Sequence, residues 1–187
     1  MKYINTNTKE VFALYHLYSV YPFLYGKELT DEILKEYNLV LLKYADKPEI
    51  KEYQQIIEGS IVNNVQTWLV EDLSLDILKN NKINEINAWK DSENQKPVTY
   101  QNELFDVDQE SQFRVLTVVL LGNGSPTGYW TSADNKDIVA DNAFMQGLYS
   151  AMLTKVATIH HRQRVMKAEI GLLTTPAEIF AYEVGAV

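Results

Sequence analysis

The chain contains no cysteine. That excludes disulfides, thiolate zinc sites and cysteine nucleophiles together, and it fits folding in a reducing cytoplasm. Long apolar runs are missing too: the longest, VLTVVLL at 115–121, falls well short of the ~20 residues that cross a bilayer. The opening MKYINTNTKEVF has one lysine but no apolar run before its Asn and Thr residues, so it does not read as a secretory signal. A soluble intracellular protein without a membrane partner is expected. Positive charge is scarce: Lys and Arg number 17 against 25 Asp and Glu, for a formal net charge of −8 and a pI of about 4.9. Phosphate backbones repel such a chain unless its cations gather on one face, so nucleic acid is not an expected partner.

What is present is ordinary for a folded protein. The 187 residues are 46% hydrophobic and 22% charged, enough for one medium domain or two small ones. KYINTNTKEVFA reads as a hairpin with a polar turn. In YHLYSVYP, alternation predicts a strand with Tyr15, Leu17, Ser19 and Tyr21 on one face and His16, Tyr18 and Val20 on the other, broken by Pro22. Thr30 caps a short helix whose first turn carries Asp31 and Glu32. LVLLKYA has strand length, and one or two more strands follow around EGS and NN up to Trp68 and Val70. From Ser74, the apolar positions Leu75, Leu78, Ile83, Ile86 and Trp89 predict a helix with a thin stripe, of the kind that spaces domains or joins oligomers.

Beyond Pro97 the predicted order is strand, helix, hairpin, long helix. VTYQNELF is strand-like with QN as a tight turn; Asp108 caps the helix QESQFRVLTVVLL, which GNGSP ends. A hairpin turns at ADNK, and Asp141 or Asn142 caps a last helix from about Ala143 to about Leu172. Its stripe is Leu148, Met152, Val156, Ile159, Met166 and Ile170, and Thr175 and Pro176 stop it. The expected fold class is α+β: a small, mainly-β N-terminal domain over 1–72 with one short helix, a linker helix over 73–96, and a helical and β-hairpin domain over 97–187 that ends in a long helix.

The chemistry-bearing motifs are weak. His160 and His161 are adjacent and project about 100° apart on a helix, with no His, Asp or Glu at the spacing that would hold a shared metal. DVDQES lacks the glycine and closing glutamate of a calcium loop, and GNGSPTG lacks the GK[ST] ending of a phosphate-binding loop. No nucleophile elbow and no carboxylate pair in an apolar setting is recognisable. The expectation is a non-enzyme without cofactor or metal. Arg162, Arg164 and Lys167 are expected to sit near a helix C-terminus, where they offset its dipole, or else to form an anion-binding patch.

One pattern has a family ring. Phe105 and Asp108 close a strand; Ser111 and Arg114 follow in a helix; Trp130, Asp134 and Asn135 mark a hairpin; His160, Arg162, Arg164, Lys167 and Ile170 punctuate the last helix. In order and spacing, over roughly 98 to 173, this resembles a C-terminal domain of unknown function found in bacteriophage tail-fibre assembly and tail-fibre-associated proteins. The stretch from Asp46 to Ser74 is similar to the segment preceding that domain, though it lacks a second Trp and a Gly-rich turn. The resemblance implies a non-enzymatic assembly protein, a chaperone or adaptor, that binds a trimeric tail fibre in the host bacterial cytoplasm. Self-association and baseplate proteins are further implied contacts. The other reading it allows is a permanent structural part of the tail: a fibre base, adaptor or baseplate-peripheral subunit. A helper that shields apolar seams needs apolar and aromatic surface. The expected surface is Tyr15, Tyr18, Tyr21, Phe23 and Tyr25 first, and then Met145, Met152 and Met166 on the long helix, with adaptable thioethers.

Overall fold

The computed structural model describes residues 1–186 and has an α+β fold in two compact units, Met1–Leu73 and Ser74–Val187. In the first unit, β1 (Lys2–Asn5) pairs antiparallel with both β2 (Val11–Ala13) and β3 (Leu39–Leu41). One face of this sheet lies on α1 (Leu14–Val20), a 3-10 turn at Pro22–Leu24, and α2 (Asp31–Glu36). Tyr3, Phe12, Leu17, Leu24, Leu34 and Leu39 form the core there. Thr30 caps α2, its hydroxyl accepting from Ile33 N. A second sheet has the order β4 (Lys43–Tyr44), β6 (Val65–Asp72), β5 (Gln54–Val62).

Three expectations change here. The segment at 14–20 is a helix, because the same aromatics that alternate also fall at i, i+3, i+4 and i+7: Leu14, Leu17, Tyr18 and Tyr21 all pack on the core. LVLLKYA is not one strand; it crosses from one sheet to the other, with Leu42 buried between β3 and β4. Asn63 and Asn64 form the β5–β6 turn, both at positive φ as a tight hairpin needs. EGS is no turn. It is a register irregularity inside β5, where a Cβ on Gly59 would come within 2.7 Å of Thr67 Oγ1.

The second unit is organised by α5 (Asn142–Leu172), whose 31 residues extend about 46 Å at the α-helical rise. Its first half packs with α4 (Gln109–Leu121) and two hairpins, β7 (Val98–Tyr100) with β8 (Glu103–Phe105) and β9 (Tyr129–Thr131) with β10 (Asp137–Val139). Phe105, Val107, Val115, Val118, Phe144, Met145, Leu148 and Met152 fill that core. Gln101 and Asn102 make the first hairpin turn at positive φ. The second half of α5 packs on α3 (Leu75–Gln95), which also contacts α6 (Pro176–Ala181); Ile86, Met166 and Ile170 are sealed by Trp89, Leu173 and, from the tail behind α6, Tyr182 and Val184. Residues 75–95, expected as a linker, therefore belong to the second unit, because Leu78 and Ile86 are buried within it. Thr175 and Pro176 do end α5, but they also begin α6 through a capping box with Glu178.

Close approach also accounts for Gly124 and Gly147. Gly124 has φ +75°, and a Cβ there would stand 2.9 Å from backbone atoms of Asp141 and Asn142. Gly147 leaves room on α5 for the Tyr100 ring, whose hydroxyl a Cβ would overlap.

Candidate interaction surface

The aromatic segment of the first unit divides into an anchored part and a bare part. Tyr21 is half-buried: its ring meets Phe12 edge-on at 5.9 Å and its hydroxyl accepts from Asn5 Nδ2 at 3.2 Å. Asn5 is held in turn by its own hairpin, since Asn5 Oδ1 accepts from the amides of Asn7 and Thr8. Tyr18 is half-buried against the core and meets Tyr25 edge-on at 5.4 Å. Phe23 lies between Tyr21 and Tyr37, 6.0 and 4.7 Å away by ring centroids. Above these anchors Tyr15 is 88%, Tyr25 77% and Phe23 46% exposed. Rings held in place below and open above offer a large, rigid apolar contact at low entropic cost, with hydroxyls left to donate.

The methionines do not belong to any such surface. Met145 and Met152 are 0% and 1% exposed, and Met166 is also fully buried. They lie on the core side of α5, where an unbranched thioether fills irregular space between helix and hairpins.

The motif residues of the second unit are mostly structural. Phe105 is in the core, edge-on to Phe144 at 5.8 Å. Asp108 caps α4: its carboxylate accepts from Ser111 N at 3.0 Å and Ser111 Oγ at 2.7 Å. The Ser111 hydroxyl and amide hold this carboxyl below its usual range. Arg114 completes the chain by donating to Ser111 Oγ at 3.0 Å. Trp130 packs half-buried on the core, and Asn135 turns the second hairpin at φ 58°. Asp134 lies 3.9 Å from Lys136, which also reaches Glu103 of the first hairpin at 3.2 Å.

The basic run on α5 needs a correction. The helix continues to Leu172 and has no basic residue in its last turn, so Arg162, Arg164 and Lys167 are too far back to offset the dipole end. Arg162 instead ties down the C-terminal tail, donating to Glu169 Oε1 at 3.4 Å and to the Ala186 carbonyl. Tyr182 donates to the other oxygen of Glu169; burial and that bond push its phenol up to about 12. Buried Gln163, invisible as a contact in the sequence, donates to Asn87 Oδ1 at 2.9 Å and links α5 to α3. Its only advance signal was a polar residue at a stripe position, four after Ile159 and three before Met166. His160, His161 and Arg164 remain exposed and Lys167 is half-buried. Among the described residues no group of three His, Asp or Glu side chains is placed to share a metal ion, and no helix is long and apolar enough to cross a membrane.

The second unit is thus a helical domain with two small hairpins set on one long helix. A family model described as a domain of unknown function (DUF4376) matches residues 77–184, well over half of the chain, and the chain belongs to that family. The match starts within the first turn of α3 and runs to the tail that packs back on it, so the family domain and the contact-defined unit largely coincide. No curated protein and no solved structure matches the chain.

Proposed function

We propose that this protein is a non-enzymatic assembly factor for bacteriophage tail fibres, acting in the host cytoplasm by binding the fibre and promoting its folding, trimerisation or attachment. Two things support the reading. The motif residues from Phe105 to Ile170, on which the resemblance to tail-fibre-associated proteins rests, fall inside one compact unit. The observation that carries the binding role is the bare aromatic rim of the first unit, Tyr15, Phe23 and Tyr25 over the anchored rings of Tyr18 and Tyr21. An exposed cluster of this kind is what a transient cover for apolar fibre seams requires.

The test is co-expression with a candidate tail-fibre subunit from the same phage genome. Soluble fibre trimer should increase with the wild-type chain and fall several-fold with a Tyr15→Ser, Phe23→Ser, Tyr25→Ser variant that keeps its native circular dichroism. Equal trimer yield with and without the chain would sink the assembly role. Equal yield from the folded triple variant would move binding away from this rim. Mass spectrometry of purified virions then separates a departing helper, absent or trace, from a stoichiometric tail component.

A further inference from the structure

The β5–β6 hairpin is long and unfinished. Its strands carry seven Ile, Leu and Val residues, yet none of these is buried, and Gln66 is the one buried side chain on either strand. Two strands without a covered apolar face are marginal in water, and β4 adds only two residues on the far side of β6. β5 is left as an open edge nine residues long. It carries no lysine or proline, the residues that commonly blunt such an edge.

The ladder shows which backbone groups that edge presents. The Gln66 carbonyl accepts from Ala45 N on the β4 side, so Ile61 opposite it turns its N–H and C=O toward the free edge. Glu58, opposite Trp68, does the same. Between them lies the irregularity at Gly59 and Ser60, whose carbonyls are already taken: Gln66 Nε2 donates to Gly59 at 2.7 Å and Thr67 Oγ1 to Ser60 at 2.6 Å. Three steps along β5, Glu58 to Ile61, match two along β6, Trp68 to Gln66, so the outward residues stay in phase. The edge borders a cleft of about 900 Å³ lined by Ile4, Val11 and Ile61 and by Lys2, Lys9 and Glu58. Lys2 is matched by Glu58 at 3.3 Å. Lys9, whose amide donates to Asn5 O in the β1–β2 turn, has no ion-pair partner among the described residues.

We propose that this cleft binds an extended segment of a partner protein, which adds as a strand to the edge of β5 and carries a carboxylate side chain that meets Lys9. Outward N–H and C=O groups in strand register are satisfied together only by another extended backbone, and that gives the class of ligand. The apolar lining favours alternate apolar side chains on the face that enters the cleft. The unmatched cation selects an acidic segment here, whereas a chain of net charge −8 repels one over most of its surface. A second copy's β5 is a poorer guest, because its single carboxylate, Glu58, is already held by Lys2. The partner need not be a tail fibre for this to hold.

Amide exchange followed by NMR on the full chain should first give Glu58 and Ile61 protection at least tenfold lower than Ile57, whose amide pairs with β6. A display library of random nine-residue peptides, panned on the protein, then supplies the probe. Enriched sequences should alternate apolar residues and include Asp or Glu. The synthesised peptide should raise the protection of Glu58 and Ile61 at least tenfold, and Lys9→Glu should weaken its binding at least tenfold. Glu58→Pro removes one outward donor without touching the β6 ladder and, in a variant that keeps its native circular dichroism, should weaken binding as much. Glu58→Gln keeps that amide and frees Lys2, so it should bind the peptide at least as tightly as wild type. Protection of Glu58 and Ile61 in the free chain equal to that of Ile57 would mean that the edge is already covered, and would overturn the proposal. So would a library without binders, or binders that are indifferent to Lys9→Glu or leave the edge amides unprotected.

Discussion

The two units differ in whether their exposed aromatic residues cluster. In Met1–Leu73 the rings of Tyr15, Phe23 and Tyr25 lie open at the surface above a small core. In the second unit Phe105 and Phe144 are buried among aliphatic and methionine side chains from α5, and the exposed rings of Phe113, Tyr129 and Phe180 come one to an element, on α4, β9 and α6. The aromatic part of the first unit is made of strands of three or four residues and helices of six or seven, too short to stand alone in water, beside the longer β5–β6 hairpin. The second is made of helices of 13, 21 and 31 residues that carry long seams. The comparison suggests a division: stability of the family domain resides in its buried α5 seam, while aromatic surface in the other unit is free for contact. Four measurements test that division.

The largest effect belongs to Leu148→Ala. Leu148 is fully buried in the middle of the α4, α5 and hairpin core. Removing it costs the lost burial plus a cavity, about 2–5 kcal/mol. Urea unfolding followed by tryptophan fluorescence in a Trp68→Phe background reports the second unit alone, since Trp89 and Trp130 both lie there. A loss below about 1 kcal/mol would mean that the seam does not carry the stability assigned to it.

Asp108→Ala ranks second. Loss of a helix N-cap costs about 1 kcal/mol, and here it also frees Ser111, which is buried, from its partner. The sign of the pH dependence follows from the depressed carboxyl. Its contribution is fully present above the unfolded-state value near 3.9 and is lost as pH falls through the lower folded value. Wild type and variant should therefore converge in stability in strong acid and differ above about pH 4. A gap that stays constant from pH 2 to pH 7 would refute the carboxylate's role in the cap.

How much of this was legible beforehand follows from what the sequence encodes locally. The caps at Thr30, Asp108 and Asp141, the tight turns at Asn63–Asn64 and Gln101–Asn102, and the stripe of α5 rest on nearest-neighbour chemistry, and the structure has them. The strand expected at 15–21 is a helix, because a run of aromatics satisfied both periods and only packing against Phe12 and Leu34 decides between them. Met145 and Met152 were misplaced for a related reason. Thioether flexibility suits a surface or a core equally, and which side of α5 faces α4 is a long-range fact. The bare aromatic rim was legible as composition but not as geometry. Arg162 holding the C-terminal tail was not legible at all, since its partners at Glu169 and Ala186 depend on the chain turning back at Thr175.

That turn-back sets the third test. The Tyr182 phenol is held up at about 12 by burial and by its bond to Glu169. A raised folded-state value means that the contribution is complete below the unfolded value near 10 and disappears as pH rises through about 12. Between those limits the tail should loosen in the wild type while Tyr182→Phe, lacking the ionisable group, shows no such transition. Trp89 packs against the same cluster and provides the optical signal. Its emission should shift to the red above pH 10 in the wild type and remain flat in the variant. Equal shifts in both proteins would assign the alkaline change to other groups.

The smallest stability effect is the most informative for the division. Tyr15→Ser and Tyr25→Ser remove rings that are already largely in water, so each should change unfolding free energy by no more than about 0.5 kcal/mol. Tyr21→Ser, six residues or fewer from either, should cost more than about 1 kcal/mol, because it removes the ring packed on Phe12 and leaves Asn5 Nδ2 without its acceptor. The three changes have the same chemistry and neighbouring positions, so a difference between them can only come from anchorage. If all three destabilise equally, the rim is part of the first unit's core, and a surface kept for a partner has no support. If Tyr15 and Tyr25 are free and Tyr21 is not, the aromatic segment is a platform built in two layers, in which the lower layer contributes to folding and the upper one is left for binding.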